Sequence, residues 1–173
     1  MLFADKKDLK EARKLLRQFI RKKKFLPKYI ECKNFPKAII ENTNCYGYVF
    51  EFFMHEYDPR LFGFLGFTIG NYTPVKDQEK AKSLFKTDVT AMGRKIMETD
   101  STIPTKGFKI ALFLSNENEC DFHFMRMDND GTWSEKDGYK GEIRKVVKPS
   151  GEPALPDEIN YTDWTFQGYY WIW

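Results

Sequence analysis

Apolar residues recur along this chain first with a helical period and then with a strand period. Leu9, Ala12, Leu16, Phe19 and Ile20 fall at three- and four-residue intervals, which lines one face of a helix and predicts one from about Asp5 to Lys24. Pro27 and Pro36 bracket a short connection. Asn42, Thr43 and Asn44 then offer capping side chains ahead of Cys45-Tyr-Gly-Tyr-Val-Phe-Glu-Phe-Phe-Met-His-Glu, whose apolar density predicts a buried helix that begins at Cys45 and ends before Pro59. Residues 58 to 76 set Gly63, Gly66 and Gly70 among aromatics and read as an ordered loop. Phe85, Val89, Met92 and Ile96 predict a further amphipathic helix, about Asp77 to Glu98, capped by Asp77.

Beyond Pro104 the pattern changes to strands. Phe108-Lys-Ile-Ala-Leu-Phe-Leu is an apolar run suited to a central strand, and Cys120-Asp-Phe-His-Phe-Met-Arg-Met follows as a second. Asn129-Asp-Gly131 is a turn leading into a third strand, Thr132-Trp-Ser-Glu-Lys. A loop rich in Pro and Gly covers 148 to 157, and Tyr169-Tyr-Trp-Ile-Trp173 reads as a last strand. Helices first and strands second predict an α+β fold rather than a doubly wound parallel sheet.

Composition bounds this picture without redirecting it. The 173 residues suit one domain, and 42% hydrophobic and 17% aromatic content suffices for a buried core and argues against disorder. No apolar run reaches the roughly 20 residues that cross a bilayer, so integral membrane contact is not expected. Met1-Leu-Phe-Ala-Asp-Lys-Lys runs straight into charge, which does not resemble a signal peptide. Three cysteines are an odd number and make no disulfide framework. A cytoplasmic location follows as the expectation, including for a protein delivered as an effector or phage product. Residues 1 to 28 carry eleven Lys and Arg against three acidic side chains, a net of +8, and the remainder holds 17 basic against 22 acidic, a net of −5. The chain therefore divides into a basic helical extension, 1 to 41, and a core, 42 to 173. The basic stretch reads as a solvated helix face; no nucleic-acid motif accompanies it, and a nucleic-acid partner is not expected.

Candidate chemistry centres on the cysteines and histidines. A nucleophilic cysteine needs a base within hydrogen-bond reach, and histidine is the usual one. Only His55 and His123 exist. On one helix, Cys45 and His55 would stand about 15 Å apart along the axis and about 280° apart around it, so His55 is excluded and His123 remains. Cys45 at a helix start meets the partial positive charge of the helix N-terminus. The Cys45 N–H, with the Asn42 or Asn44 amide as second donor, is a candidate oxyanion hole. With a three-residue loop at 129 to 131, paired positions in the hairpin sum to 260; His123 then faces Asp137, and Glu135 lies diagonally on the same sheet face. Ser134 and Lys136 point the other way. Glu135 or Asp137 is the candidate third member that fixes the imidazole tautomer.

These residues also carry a resemblance. Asn44-Cys45-Tyr46-Gly47-Tyr48-Val49 resembles the Asp-Cys-Ser-Gly-aromatic/aliphatic-Val helix start of the NlpC-like, papain-fold cysteine hydrolases. Asp121-Phe-His123-Phe-Met-Arg, with its Asp-Asn-Asp-Gly turn and Trp133-Ser134, resembles the histidine hairpin of a sparsely characterised bacterial group. That pattern combines Asn-Cys-Tyr, Asp-aromatic-His-Phe and Asp-Gly-aromatic-Trp-Ser-His-Lys, and ends in Gly-Tyr-aromatic, as Gly168-Tyr169-Tyr170 does. The resemblance covers residues from about 42 onward. It implies a papain-like (NlpC-like) fold with the nucleophile helix packed on an antiparallel sheet, a Cys45 nucleophile, a His123 base and a polar third group at Glu135, where the group usually has histidine. Tyr46 in place of the NlpC-like serine implies a substrate channel unlike that of cell-wall enzymes.

The expectation is thus a cysteine hydrolase that cleaves an amide, peptide or isopeptide bond of a peptide or protein substrate through a thioester. It requires no metal or organic cofactor. Two alternatives stand beside it: a peptidoglycan endopeptidase, and a non-enzymatic binding or inhibitory protein that uses the basic helix and surface aromatics, with Cys45 merely packed. Burial is the default for a free cysteine, and Cys32 and Cys120 keep it. A zinc site of Cys32, Cys45, Cys120 and His123 lacks the usual paired-cysteine knuckle. Phe62, Phe64 and Phe67, which follow the nucleophile helix, are the expected wall of any cleft.

Overall fold

The computed structural model describes residues 26, 27, 29, 31, 44–50, 77–91, 93–116, 121–138 and 141–173. The expected basic helix, the aromatic loop at 58 to 76, Asn42, Cys32, Cys120 and His55 lie outside them.

Helix α1, Cys45–Val49, starts where the cap residues predict: Asn44 is extended at φ −89° and ψ −178°, and its Oδ1 accepts the Gly47 N–H at 2.9 Å. The remainder of the expected helix, toward Pro59, lies outside the described residues. Helix α2, Gln78–Ala91, is capped by Asp77, whose Oδ1 accepts from Glu79 N at 2.9 Å. It buries Ala81, Phe85 and Val89 on one face.

The expected extension of α2 to Glu98 is corrected. Gly93 takes a left-handed φ of 78°, its N–H donates to Thr90 O at 2.9 Å, and Arg94 N–H donates to Val89 O at 3.2 Å. That pair of bonds is a Schellman stop, which reverses the chain where the apolar spacing alone would have continued it. Ile96, assigned to the helix by its spacing, opens a strand instead.

The strands are β1 Ile96–Thr99, β2 Phe108–Ser115, β3 Phe122–Met127, β4 Trp133–Lys136, β5 Ile143–Lys145 and β6 Trp164–Ile172. They form one open antiparallel sheet in the spatial order β1-β6-β2-β3-β4-β5. The fold is therefore mixed α and β, with the three central strands close to where the hydrophobic pattern puts them. Strands β1 and β5 were not predicted, and β6 begins five residues before the expected Tyr169.

The sheet is covered on both faces, and this explains why β2 reads as an unbroken apolar run. Ile110, Leu112 and Leu114 pack with Phe124 and Tyr170 against α1 and α2, represented by Cys45, Tyr46, Tyr48, Phe85 and Val89. Ala111 and Phe113 face the other way, into a core with Met125, Met127, Trp133, Val146, Ala154 and Tyr169. The chain from Val146 to Tyr161, including the 3-10 turn Pro156–Glu158, supplies the cover on that second face. Among the described residues no helix is long and apolar enough to cross a membrane.

Candidate active site

Three elements meet at the candidate site: the first turn of α1, the start of β3 and the middle of β4. Helix α1 is fixed to the sheet by aromatic and polar contacts together. The Tyr46 ring packs on Phe50 and Phe124 at centroid distances of 4.8 and 5.2 Å. Tyr48 Oη lies 2.7 Å from Ser134 Oγ, and the Arg126 guanidinium stacks 4.0 Å over the Tyr48 ring while Nη1 donates to Tyr48 O at 3.3 Å. Arg126 is in turn paired with buried Asp128, Nε to Oδ1 at 3.2 Å. These bonds all lie on the α1 face of the hairpin, at the even-numbered positions.

The odd-numbered positions carry His123 and Glu135. Met127 pairs with Trp133, Arg126 with Ser134 and Met125 with Glu135, so each pair sums to 260 as the three-residue turn predicts. The turn closes with Asp128 N–H donating to Thr132 O at 2.8 Å and Gly131 N–H donating to Asp128 O at 3.0 Å. His123 and Glu135 are therefore diagonal neighbours on one face. His123 Nε2 stands 2.7 Å from Glu135 Oε2. Asp137, the other candidate for this position, lies exposed beyond the end of the β3–β4 ladder.

The Cys45 side chain lies close enough to His123 to influence the charge on its imidazole. The Cys45 sulfur also lies 3.8 Å from the Phe122 carbonyl oxygen. Cys45 is 5% exposed and joins the α1-face core, so the thiol is enclosed, yet the imidazole stands beside it. The side chain of His123 retains 13% of its exposure, whereas that of Glu135 retains 5%. Asn44 commits its side-chain oxygen to the helix cap, which leaves Nδ2 as its donor end.

Burial opposes a charge on His123, but hydrogen bonds and charge from Cys45 and Glu135 outweigh it and push the imidazole up to about 10. Burial likewise raises Glu135, and the hydrogen bonds and charges of His123 and Arg144 overcome it, holding the carboxyl down at about 2. Imidazolium and carboxylate therefore coexist across the neutral range.

Residues absent from the sequence expectations complete the surroundings. Arg144 Nε donates to Glu135 Oε1 at 2.7 Å, and the Tyr161 hydroxyl donates to Glu135 Oε2 at 2.9 Å. The Tyr161 hydroxyl is itself raised by burial and by the charge of Glu135. The rings of Phe113, Tyr161 and Trp164 lie 6.4, 6.3 and 6.0 Å from that of His123.

A β-bulge brings Trp164 to that face. Leu112 pairs with Gly168, but Phe113 pairs with Phe166, so Gln167 is an extra residue in β6. Phe166 and Tyr169 are three positions apart and would face opposite sides of a regular strand. The bulge puts both into the second core, with ring centroids 4.9 Å apart. Gly168 sits at φ 128°, a conformation that L side chains rarely adopt. A glycine inside an aromatic strand is the one signal in the sequence that pointed to this bulge.

Among the described residues no group of three or more His, Cys, Asp and Glu side chains could hold a metal ion; the alternative zinc set used Cys32 and Cys120, which lie outside them. Comparison with family models, with curated proteins and with solved structures finds no match to the chain.

Proposed function

We propose that the protein is a cysteine hydrolase of papain-like arrangement, cleaving an amide, peptide or isopeptide bond through a thioester. The observation that carries this reading is that one imidazole, His123, bonds Glu135 through Nε2 and has the Cys45 side chain close enough to influence its charge. Nucleophile at a helix start, base on the neighbouring strand and orienting acid one strand further is the division of roles that acyl transfer by a thiol requires. With the thiol proton already resting on His123, the sulfur attacks the carbonyl carbon and the imidazolium gives that proton to the departing amine as the C–N bond breaks. Water then opens the thioester, giving its proton to the now neutral His123, and the acid leaves as the sulfur is released beside the restored imidazolium. The Cys45 N–H and the Asn44 or Asn42 amide are the proposed donors to the oxyanion. Glu135 keeps Nε2 protonated and the ring facing the sulfur. Arg144 beside Glu135 and the aromatic rings around His123 support a peptide or protein substrate over a small polar one.

The burial of Cys45 in an apolar cluster favours the second reading, a binding protein in which the thiol only packs. Iodoacetamide alkylation at neutral pH, mapped by mass spectrometry, separates the two. The hydrolase reading expects Cys45 to be modified well ahead of Cys32 and Cys120, and expects that selectivity to vanish in His123→Ala. Equally slow modification of all three cysteines in the unaltered chain would leave the binding protein standing.

A further inference from the structure

We infer that Arg144 and Tyr161 are positioning residues that hold the Glu135 carboxylate in the one orientation that serves His123. The inference rests on the hydrolase reading for its purpose, although the contacts stand without it. A carboxylate has two oxygens and about four lone-pair directions, and rotation about its last torsion interconverts them at little cost. At Glu135 each oxygen is claimed: Oε1 accepts from Arg144 Nε at 2.7 Å, while Oε2 accepts from Tyr161 Oη at 2.9 Å and from His123 Nε2 at 2.7 Å. The three donors belong to separate segments, β5, the approach to β6 and β3, so no single local motion releases the group.

Each clamp is itself secured. Arg144 lies directly opposite Glu135 in the β4–β5 register, which sets the reach of its side chain. Tyr161 meets Phe113 edge to face at 5.4 Å and 84°, a packing that aims its hydroxyl at the buried carboxylate. The burial gradient runs the same way: Glu135 is enclosed, whereas the side chain of Arg144 is 57% exposed. The charge that holds Oε1 thus arrives from the solvent side, and the oxygen that meets His123 is kept inside. Without the two clamps the carboxylate could turn toward solvent and leave Nε2 without its acceptor.

The test uses the full chain and the His123 Nε2–H proton, assigned against His55→Gln. Its solvent-exchange lifetime at neutral pH is compared between the parent, Tyr161→Phe and Arg144→Ala, with the backbone amides of β3 and β4 followed in the same spectra. A lost hydrogen bond to a charged group corresponds to about tenfold or more, so each variant should shorten the Nε2–H lifetime by at least about that factor while strand amide protection stays unchanged. Arg144→Lys, which retains charge without the planar fork, should recover part of the lifetime. An unchanged Nε2–H lifetime in both variants overturns the inference. So does acceleration that strand amides share equally, since a merely structural role would produce it. Cys45 alkylation in the parent is scored separately: if it is unselective the hydrolase reading is lost, while the exchange result still decides whether Glu135 is clamped.

Discussion

Ser134 and Glu135 are adjacent in the chain and serve opposite faces of β4. Ser134 Oγ meets Tyr48 Oη at 2.7 Å and ties α1 to the sheet, while Glu135 Oε2 meets His123 Nε2. Because side chains alternate along a strand, anchoring and chemistry are separated by a single residue step. Ser134→Ala should therefore lower stability by about 1 kcal/mol, the usual scale of a buried hydrogen bond, with the selectivity of Cys45 alkylation intact. Urea denaturation beside alkylation mapping checks this; lost selectivity at unchanged stability would mean that the two faces are not independent. The alternation was legible beforehand because a three-residue turn fixes which residues pair. Arg144 and Tyr161 were not legible: their reach to Glu135 depends on a three-residue strand and a coil segment that carry no hydrophobic period.

At the scale of elements, sequence and structure part company at glycines. Met92 and Ile96 continue the helical spacing of Phe85 and Val89, and periodicity alone cannot show that Gly93 ends the helix between them. The same holds for β6, where a regular alternation is broken by one inserted residue. Gly168 absorbs that insertion at φ 128°, with open space where a Cβ would stand. A substitution there meets no neighbour, so any cost is backbone strain, about 1–3 kcal/mol for a residue held in a sparsely populated region. Gly168→Ala should lose stability in that range and disturb Trp164 and Phe166, which depend on the bulge for their face. Chemical denaturation together with tryptophan emission reads both effects. A neutral substitution would show that the bulge does not need glycine and that another residue carries the parity change.

For the whole molecule, the order of helices before strands gave the α+β class, but not the insertion of β6 between β1 and β2; antiparallel neighbours so distant in sequence leave no local trace. The assembled sheet also couples the site to global stability through pH. His123 is raised in the folded chain from its ordinary 6.5 to about 10, so its contribution is complete below pH 6.5 and is lost as pH climbs through 10. Glu135 is lowered from 4.5 to about 2, so its contribution is complete above pH 4.5 and is lost as pH falls through 2. The pair should give a plateau between 4.5 and 6.5 with a decline on either side. Asp128 acts in the opposite sense on the acid limb, because burial raises its carboxyl. Subtracting Glu135→Gln from the parent, using urea unfolding free energies from about pH 3 to pH 9, removes that contribution to first order, since both chains keep Asp128. The difference should be largest and flat inside the plateau and shrink toward both ends. A difference that keeps growing to the alkaline limit would mean that the carboxylate stabilises the fold without holding a proton on His123, and the buried ion pair would have to be abandoned as the basis of the site.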